Sequence, residues 1–274
     1  ASDSLDALVE RVLAMAREAP EDPWAGLAPE ARLLRGAPPH LDLDDGAEAE
    51  PRILRDRALA AEDAARAVEG VTNSEGGGAS ANRTAMAIAT SHGFAGAYAL
   101  TSHMISASVL AGTGGAMERD HAWHSARHAA MLEAPETVGR CAGERAVARL
   151  NPERLASGAM PVVFDRRVSG GILGHLVAAI GGASIARKTS FLQDALGARV
   201  FARGVIICDD PHRPRGLRSR PFDGEGLPVL PQKIVDDGML ETWLLDSASA
   251  RQLGLTPTGH AARGVAGAPG VAPS

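Results

Sequence analysis

The sequence predicts an α+β fold, with antiparallel or mixed sheets flanked by helices. Three observations carry that expectation. The segments run helix, helix, strands, helix, strand, helix, strands, which lacks the β-α-β alternation of a doubly wound sheet. No segment recurs at a solenoid period. Hydrophobic residues make up 45% of the 274 positions and aromatics only 3%, so the core must be built mainly from Ala, Val, Leu and Ile.

Each element follows from local pattern. Residues 4–19 set Leu5, Leu8, Val9, Val12, Leu13 and Met15 at helical spacing. Residues 21–39 carry turn formers and little period, and the acidic run 41–51 reads as a surface connection. Residues 52–68 form an alanine-rich helix closed by Gly70, with Glu62 and Arg66 paired at i, i+4 on a solvated face. Residues 83–90 and 95–110 alternate and read as antiparallel strands. Pro135 opens a helix over 136–150, which Asn151-Pro152 ends. A strand over 160–164 then feeds one long apolar helix over 168–185, and 205–208 is a short buried strand. Asp236-Asp237-Gly238 between the apolar runs 227–235 and 239–245 signals a hairpin. Asp246 starts a short helix through Leu253. The natural division is an α+β part over 1–150 and a β-rich part over 151–274.

The formal charge of −5 argues against a general nucleic-acid binder. Cys141 and Cys208 are far apart and make no disulfide framework. They fit a reducing cytoplasm, and both read as buried and inert. The first residues lack the basic region of a signal peptide, and no apolar run approaches the ~20 residues that span a bilayer. The Ala start and the Gly/Ala/Pro-rich tail from Gly264 suggest a fragment truncated at both ends.

Four clusters invite chemistry. His175 sits alone on the apolar helix, where one imidazole cannot hold a catalytic zinc and reads as a core or interface histidine. His121, His124 and His128 fall at i, i+3 and i+7. On a helix they would share a face and could ligate Zn²⁺ or Ni²⁺, with Glu118 and Asp120 nearby. The plainer reading is a polar helix whose imidazoles meet neighbours or solvent. Residues 71–80, VTNSEGGGAS, lack a phosphate-loop pattern and read as a tight turn. In the loop 209–226, Arg213, Arg215, Arg218 and Arg220 can bind phosphate or a peptide carboxylate, or be neutralised internally by Asp223 and Glu225. No G-x-S-x-G elbow is present, and a catalytic triad assembled only in three dimensions stays open.

Several longer pieces together carry a family resemblance: VTNSEGGGAS, SHGFAGAY, ERDHAWHSARH, GERAVARLNP, PVVFDRRVSGGILGHL, IARKTSFLQDALG, DDPHRPRGL, RPFDGEG and TWLLDSASARQLGL. From Ser4 to about Gly264 the chain resembles the TldD/PmbA family, the "modulator of DNA gyrase" proteins. The resemblance implies a two-domain α+β architecture. In the TldD half of that family the helix matching 168–185 carries H-E-x-x-x-H, and the matching positions here read Gly174, His175, Leu176, Val177, Ala178, Ala179. The resemblance therefore implies the zinc-less TldE/PmbA-like subunit of a cytoplasmic heterodimeric peptidase. Zinc is then expected in the TldD-like partner and none in this chain. Extended or unfolded peptides would be its ligands, added to sheet edges. Two other readings remain beside it: a stand-alone metal-dependent hydrolase using His121, His124 and His128, and a binding or scaffold protein that modulates gyrase.

Overall fold

The computed structural model of the chain describes residues 2–264 and 270–274. Helix α1 (Ser2–Glu18) is followed by irregular chain and by α2 (Pro51–Arg66). Strands β1 (Val71–Ala89), β2 (Ala95–Ala111) and β3 (Glu118–Ala126) form an antiparallel meander, and α3 (Pro135–Ala148) follows. The second half contains α4 (Arg166–Ala179), α5 (Gly182–Ala186), β4 (Ile207–Asp209), β5 (Gln232–Asp236), β6 (Met239–Leu240), α6 (Ser247–Leu253), β7 (Ala261–Ala262) and β8 (Gly270–Val271). Strands β4, β5 and β6 form one small antiparallel sheet, and β7 and β8 form another. The α+β expectation with antiparallel sheets holds. Among the described residues no helix is long and apolar enough to cross a membrane.

The first core lies between one face of the meander and the pair α2 and α3. Ile105, Ala107, Val109 and Ala111 of β2 meet Ala61, Ala65, Val138, Ala142 and Ala146 there. Alanines at the contact let helix and sheet backbones approach closely. Glycine goes further: a Cβ on Gly77 of β1 would lie 2.0 Å from the Ala58 carbonyl oxygen, and one on Gly139 of α3 would lie 2.0 Å from that of Ala61. The second core joins Leu176, Ala179 and Ile180 to Ile234, Val235, Leu240 and Leu244. A third sits under the tip of the β1–β2 hairpin, where Phe94, Phe222 and Leu227 meet Leu33.

Several expectations are corrected. The histidine segment is not helical: residues 118–126 are β3, paired with β2 so that His124 faces Ile105 and His121 faces Ser108. Asp120, Ala122 and Ala126 are buried at alternate positions, and that period of two overrides the fortuitous helical spacing of the imidazoles. Residues 71–80 are strand rather than turn, with Gly76 at φ +111 beside an irregularity in the register. Gly77 is required by the approach of α2. Residues 160–164 form no strand; Val163 is 94% exposed and finds no neighbouring strand to pair with. The apolar run 168–185 breaks into α4 and α5 at Ile180 and Gly181. The short strand expected over 205–208 forms at Ile207–Asp209, where Cys208 is exposed rather than buried. The hairpin at Asp237-Gly238 forms, with φ of +45 and +80 at the two residues, but its strands are shorter than the apolar runs around it.

Candidate functional site

Helix α4 links the two halves of the chain. Its first turn is capped by Asp165, whose Oδ1 accepts from the Arg167 amide at 2.8 Å. The Arg167 guanidinium donates to Asp120 Oδ1 on β3 at 2.9 Å. At the other end Leu176, Ala179 and Ile180 enter the second core, and the amides of Leu244 and Gly182 bond the carbonyls of Ile180 and Leu244 at 3.0 and 2.8 Å. Held at both ends, α4 leaves Val168, Ile172, Leu173 and His175 exposed along its middle. His175 is thus not a core histidine in this chain; the buried positions of the helix lie on the Leu176–Ala179 side.

A groove of about 430 Å³ runs between α4 and β4, with Gly170, Leu173, Gly174 and Val177 on one wall and Ile207, Cys208 and Asp209 on the other. β4 pairs only with β5, so among the described residues its outer edge carries no strand. Arg218 stands at the rim. Asp209 is buried; its Oδ1 accepts from the Ser274 amide at 2.7 Å and its Oδ2 lies 3.3 Å from His260 Nε2. Burial pushes the Asp209 carboxyl up, but the bonds from His260 and Ser274 outweigh it and hold the group below its ordinary value. Behind it, His260 Nδ1 is 2.8 Å from Thr258 Oγ1. That set has the connectivity of a hydroxyl–His–Asp triad. The Thr258 hydroxyl, however, also accepts from the Leu245 amide at 2.8 Å and is spent on backbone. The network fixes β4 against the chain around 258–260; it does not present a nucleophile.

A catalytic zinc needs three protein ligands and a base for its water. Here α4 carries Gly174 and Ala179 without donors and a lone exposed His175 outside the groove lining, and the groove itself adds only a carboxylate already engaged by His260 and the cation of Arg218. Among the described residues no three His, Cys, Asp or Glu side chains gather as a ligand set. These residues do not fit the metal.

The other candidate clusters disperse. His121 is exposed on the outer face of β3, His124 lies 3.9 Å from Glu133, and His128 beyond the strand bonds the Asp42 carbonyl at 2.9 Å. Of the four arginines, Arg215 pairs with Asp42 Oδ2 at 2.6 Å. Arg220 is largely buried and donates to the Ala272 carbonyl at 2.7 Å. Arg213 and Arg218 are exposed. Asp223 lies near Arg220 but spends its oxygens on the amides of Glu225, Leu227 and Ala261, while Glu225 holds the amide and hydroxyl of Ser247. The Asp209–His260 pair was not legible in the sequence. Its members are 51 positions apart in short, aperiodic segments, and the apolar neighbourhood of Asp209 was the only hint.

Comparison with known proteins identifies the family. The PmbA/TldA metallopeptidase central domain matches residues 39–150, and the C-terminal domain of the same family matches 157–274. The Metalloprotease PmbA of Escherichia coli O157:H7 is 41% identical over 254 residues, covering 92% of this chain and 56% of that protein. The chain thus spans about half the length of the curated relatives it matches. A crystal structure from Bacteroides thetaiotaomicron, described as a candidate modulator of DNA gyrase, superposes with a TM-score of 0.85 at 25% identity over 94% of this chain and 60% of that one. TldE from Thermococcus kodakarensis shares the fold, with a TM-score of 0.71 at 19% identity over 99% of this chain and 61% of that one. By both domain matches and by sequence identity, the chain belongs to the PmbA/TldD metallopeptidase family.

Proposed function

We propose that this chain is the peptide-holding, zinc-less part of a two-subunit metallopeptidase, in which a TldD-like partner supplies the metal and cuts. The observation that carries the reading is α4. The helix is kept and anchored at both ends, and the groove beside it is open, yet Gly174 and Ala179 stand where the resemblance puts metal ligands. The exposed apolar residues Val162, Val163, Phe164, Val168 and Ile172 give a partner subunit a surface to cover. The reading places the complex in the cytoplasm, where Cys141 and Cys208 stay reduced. The stand-alone hydrolase loses its basis, because His121 and His124 fall on opposite faces of β3 and His128 lies beyond its end.

The test uses the full-length protein with and without a family member that carries H-E-x-x-x-H. Alone, it is expected to hold no stoichiometric zinc by metal analysis and to leave a fluorogenic peptide intact. With the partner, hydrolysis appears. One zinc per isolated chain, accompanied by hydrolysis without the partner, sinks the proposal.

A further inference from the structure

The exposed side of α4 lacks the charges that keep a protein surface solvated. From Val168 to Ala186 the sequence contains no Asp, Glu, Lys or Arg. Val168, Ile172 and His175 fall at i, i+4 and i+7 of the helix, hence on one face, and all three are exposed. Gly171 and Ala178 lie beside that line and are exposed too, and a Cβ on Gly171 would meet nothing within 4 Å. The face is therefore open to the close approach of another backbone. Phe164 stands just before the cap residue Asp165, with Val162 and Val163 before it, and all of these are exposed.

The far end of the line holds a second phenylalanine. The next residue on the same face, at i+11, is Ala179, whose carbonyl accepts from the Ser190 hydroxyl at 2.5 Å. Ser190 Oγ in turn accepts from the Leu192 amide at 3.0 Å, and Leu192 is buried in the second core. Both neighbours are anchored, and Phe191 between them is 84% exposed. A ring held outward by fixed neighbours has little freedom to lose on binding. The chain has only five Phe, so placing Phe164 and Phe191 at the surface forgoes burial that the fold itself never recovers.

Cations bound the face at both ends. Arg166 stands before it and Arg187 and Lys188 after it, and none of the three makes an ion pair among the described residues. A charge-free centre inside a charged rim is the anatomy of a protein–protein interface. Val162, Val163, Phe164, Val168, Ile172 and Phe191 together expose roughly 700 Å², close to the ~800 Å² that each partner gives to an interface of standard size.

We propose that the face running from Phe164 along α4 to Phe191 is the seat of the TldD-like subunit, with Phe191 as the anchor that enters a pocket of that partner and the rim cations facing acidic groups on it. The proposal rests on the two-subunit reading above for the identity of the partner; it adds where on this chain the partner sits and which side chain fixes it. A second copy of this chain is a poorer occupant, because a two-fold contact between identical faces sets the rim cations against one another.

Association of the full chain with a family member that carries H-E-x-x-x-H is measured by titration calorimetry. Phe191→Ser is expected to weaken it by about thirtyfold, as loss of an interface anchor does, and Phe191→Leu to restore most of the loss. Val168→Asp puts a carboxylate in the first turn of α4, where the helix dipole favours it, so the fold stays while association falls by about tenfold or more. Leu230→Ser, at a residue 63% exposed on a different groove, is the control and leaves affinity unchanged. Raising the salt concentration weakens the wild-type complex, and replacing Arg187 and Lys188 by Gln reduces that dependence. Wild-type affinity in both Phe191→Ser and Val168→Asp overturns the proposal. So does a chain that dimerises alone in sedimentation velocity and loses that dimer on Phe191→Ser. A wild type that neither binds the partner nor supports hydrolysis sinks the peptidase reading and the seat with it; variants that bind and support hydrolysis as the wild type does sink only the seat.

Discussion

At the scale of single residues, buried carboxylates divide into two groups with opposite effects. Asp45 is half-buried between the amides of Ala129 and Ala47 and the side chains of His103 and Thr101; its partial burial pushes it up, but those bonds outweigh it and hold it far below its ordinary value. Asp209 is lowered in the same manner. Both stabilise the fold above the unfolded value of 3.8, and that contribution disappears as pH falls through their folded values. Glu225 is the reverse. Burial raises it, the bonds from Ser247 only partly compensate, and Asp223 and Asp246 add repulsion. The folded state then binds the proton more tightly than the unfolded state. Stability therefore falls as pH rises from the unfolded value of 4.5 up to the folded one and levels off above it. Asp223 acts in the same direction. Maximum stability is thus expected at mildly acidic pH. Glu225→Gln keeps an acceptor for the Ser247 amide and hydroxyl and removes the charge. Urea unfolding at pH 5 and pH 8 should show a smaller loss for the variant than for the wild type, with Asp223 supplying what remains. An equal loss in the two proteins would show that Glu225 does not titrate in this window.

At the scale of elements, the same residue type plays different parts. Gly139 sits where α3 presses on α2, and a Cβ there would lie 2.0 Å from the Ala61 carbonyl oxygen. Gly139→Ala must separate the helices and is expected to cost about 2 kcal/mol. A Cβ on Gly174 meets nothing within 4 Å. Gly174→Ala should stabilise α4 by about 0.5–1 kcal/mol through helix propensity alone. Thermal unfolding of the pair decides it; shifts of the same sign would mean that packing at one of them has been misread. The contrast also shows what periodicity can reveal. α2, α3, α6 and most of β2 were legible because caps, Pro at the first turn and apolar period act locally. β3 was not, because three histidines at helical spacing mimic a helix face and only pairing with β2 selects the strand. Residues 160–164 failed in the other direction: Val162, Val163 and Phe164 have strand propensity, but a strand also needs a neighbour. The glycines 76–78 looked like a turn because sequence does not show the helix lying against them. At the site, the absence of ligands on α4 was readable, whereas the groove walls and the Asp209–His260 pair depend on tertiary placement.

At the scale of the whole molecule, the question is what couples the meander half to the second half. Four arginines link the two halves through their side chains. Arg215 pairs with Asp42, Arg167 with Asp120, and Arg127 reaches from beyond β3 to the carbonyls of Gly216 and Leu217 while also bonding that of Thr101 at 3.1 Å. Arg251 donates to the carbonyls of Trp24, Gly26 and Leu27 on the surface, and the third core adds apolar contact, with Phe222 against both Tyr98 and Phe94. The first two links are partly exposed and worth little individually. Arg127 is different. It is buried, desolvation lowers its pKa, and its guanidinium satisfies carbonyls from both halves. Removing it leaves buried acceptors without donors, and charged hydrogen bonds of this kind cost about 1.5–3 kcal/mol each to lose. The wild type is expected to unfold in one calorimetric transition. Arg127→Ala should lower stability by about 3 kcal/mol and split that transition, because the loss falls on the coupling between halves rather than on either core. Arg127→Lys, which keeps the charge but cannot reach three carbonyls, should fall between the two. A single transition displaced to lower temperature in Arg127→Ala would instead mean that α4, the Arg251 bonds and the third core suffice to make the halves one folding unit.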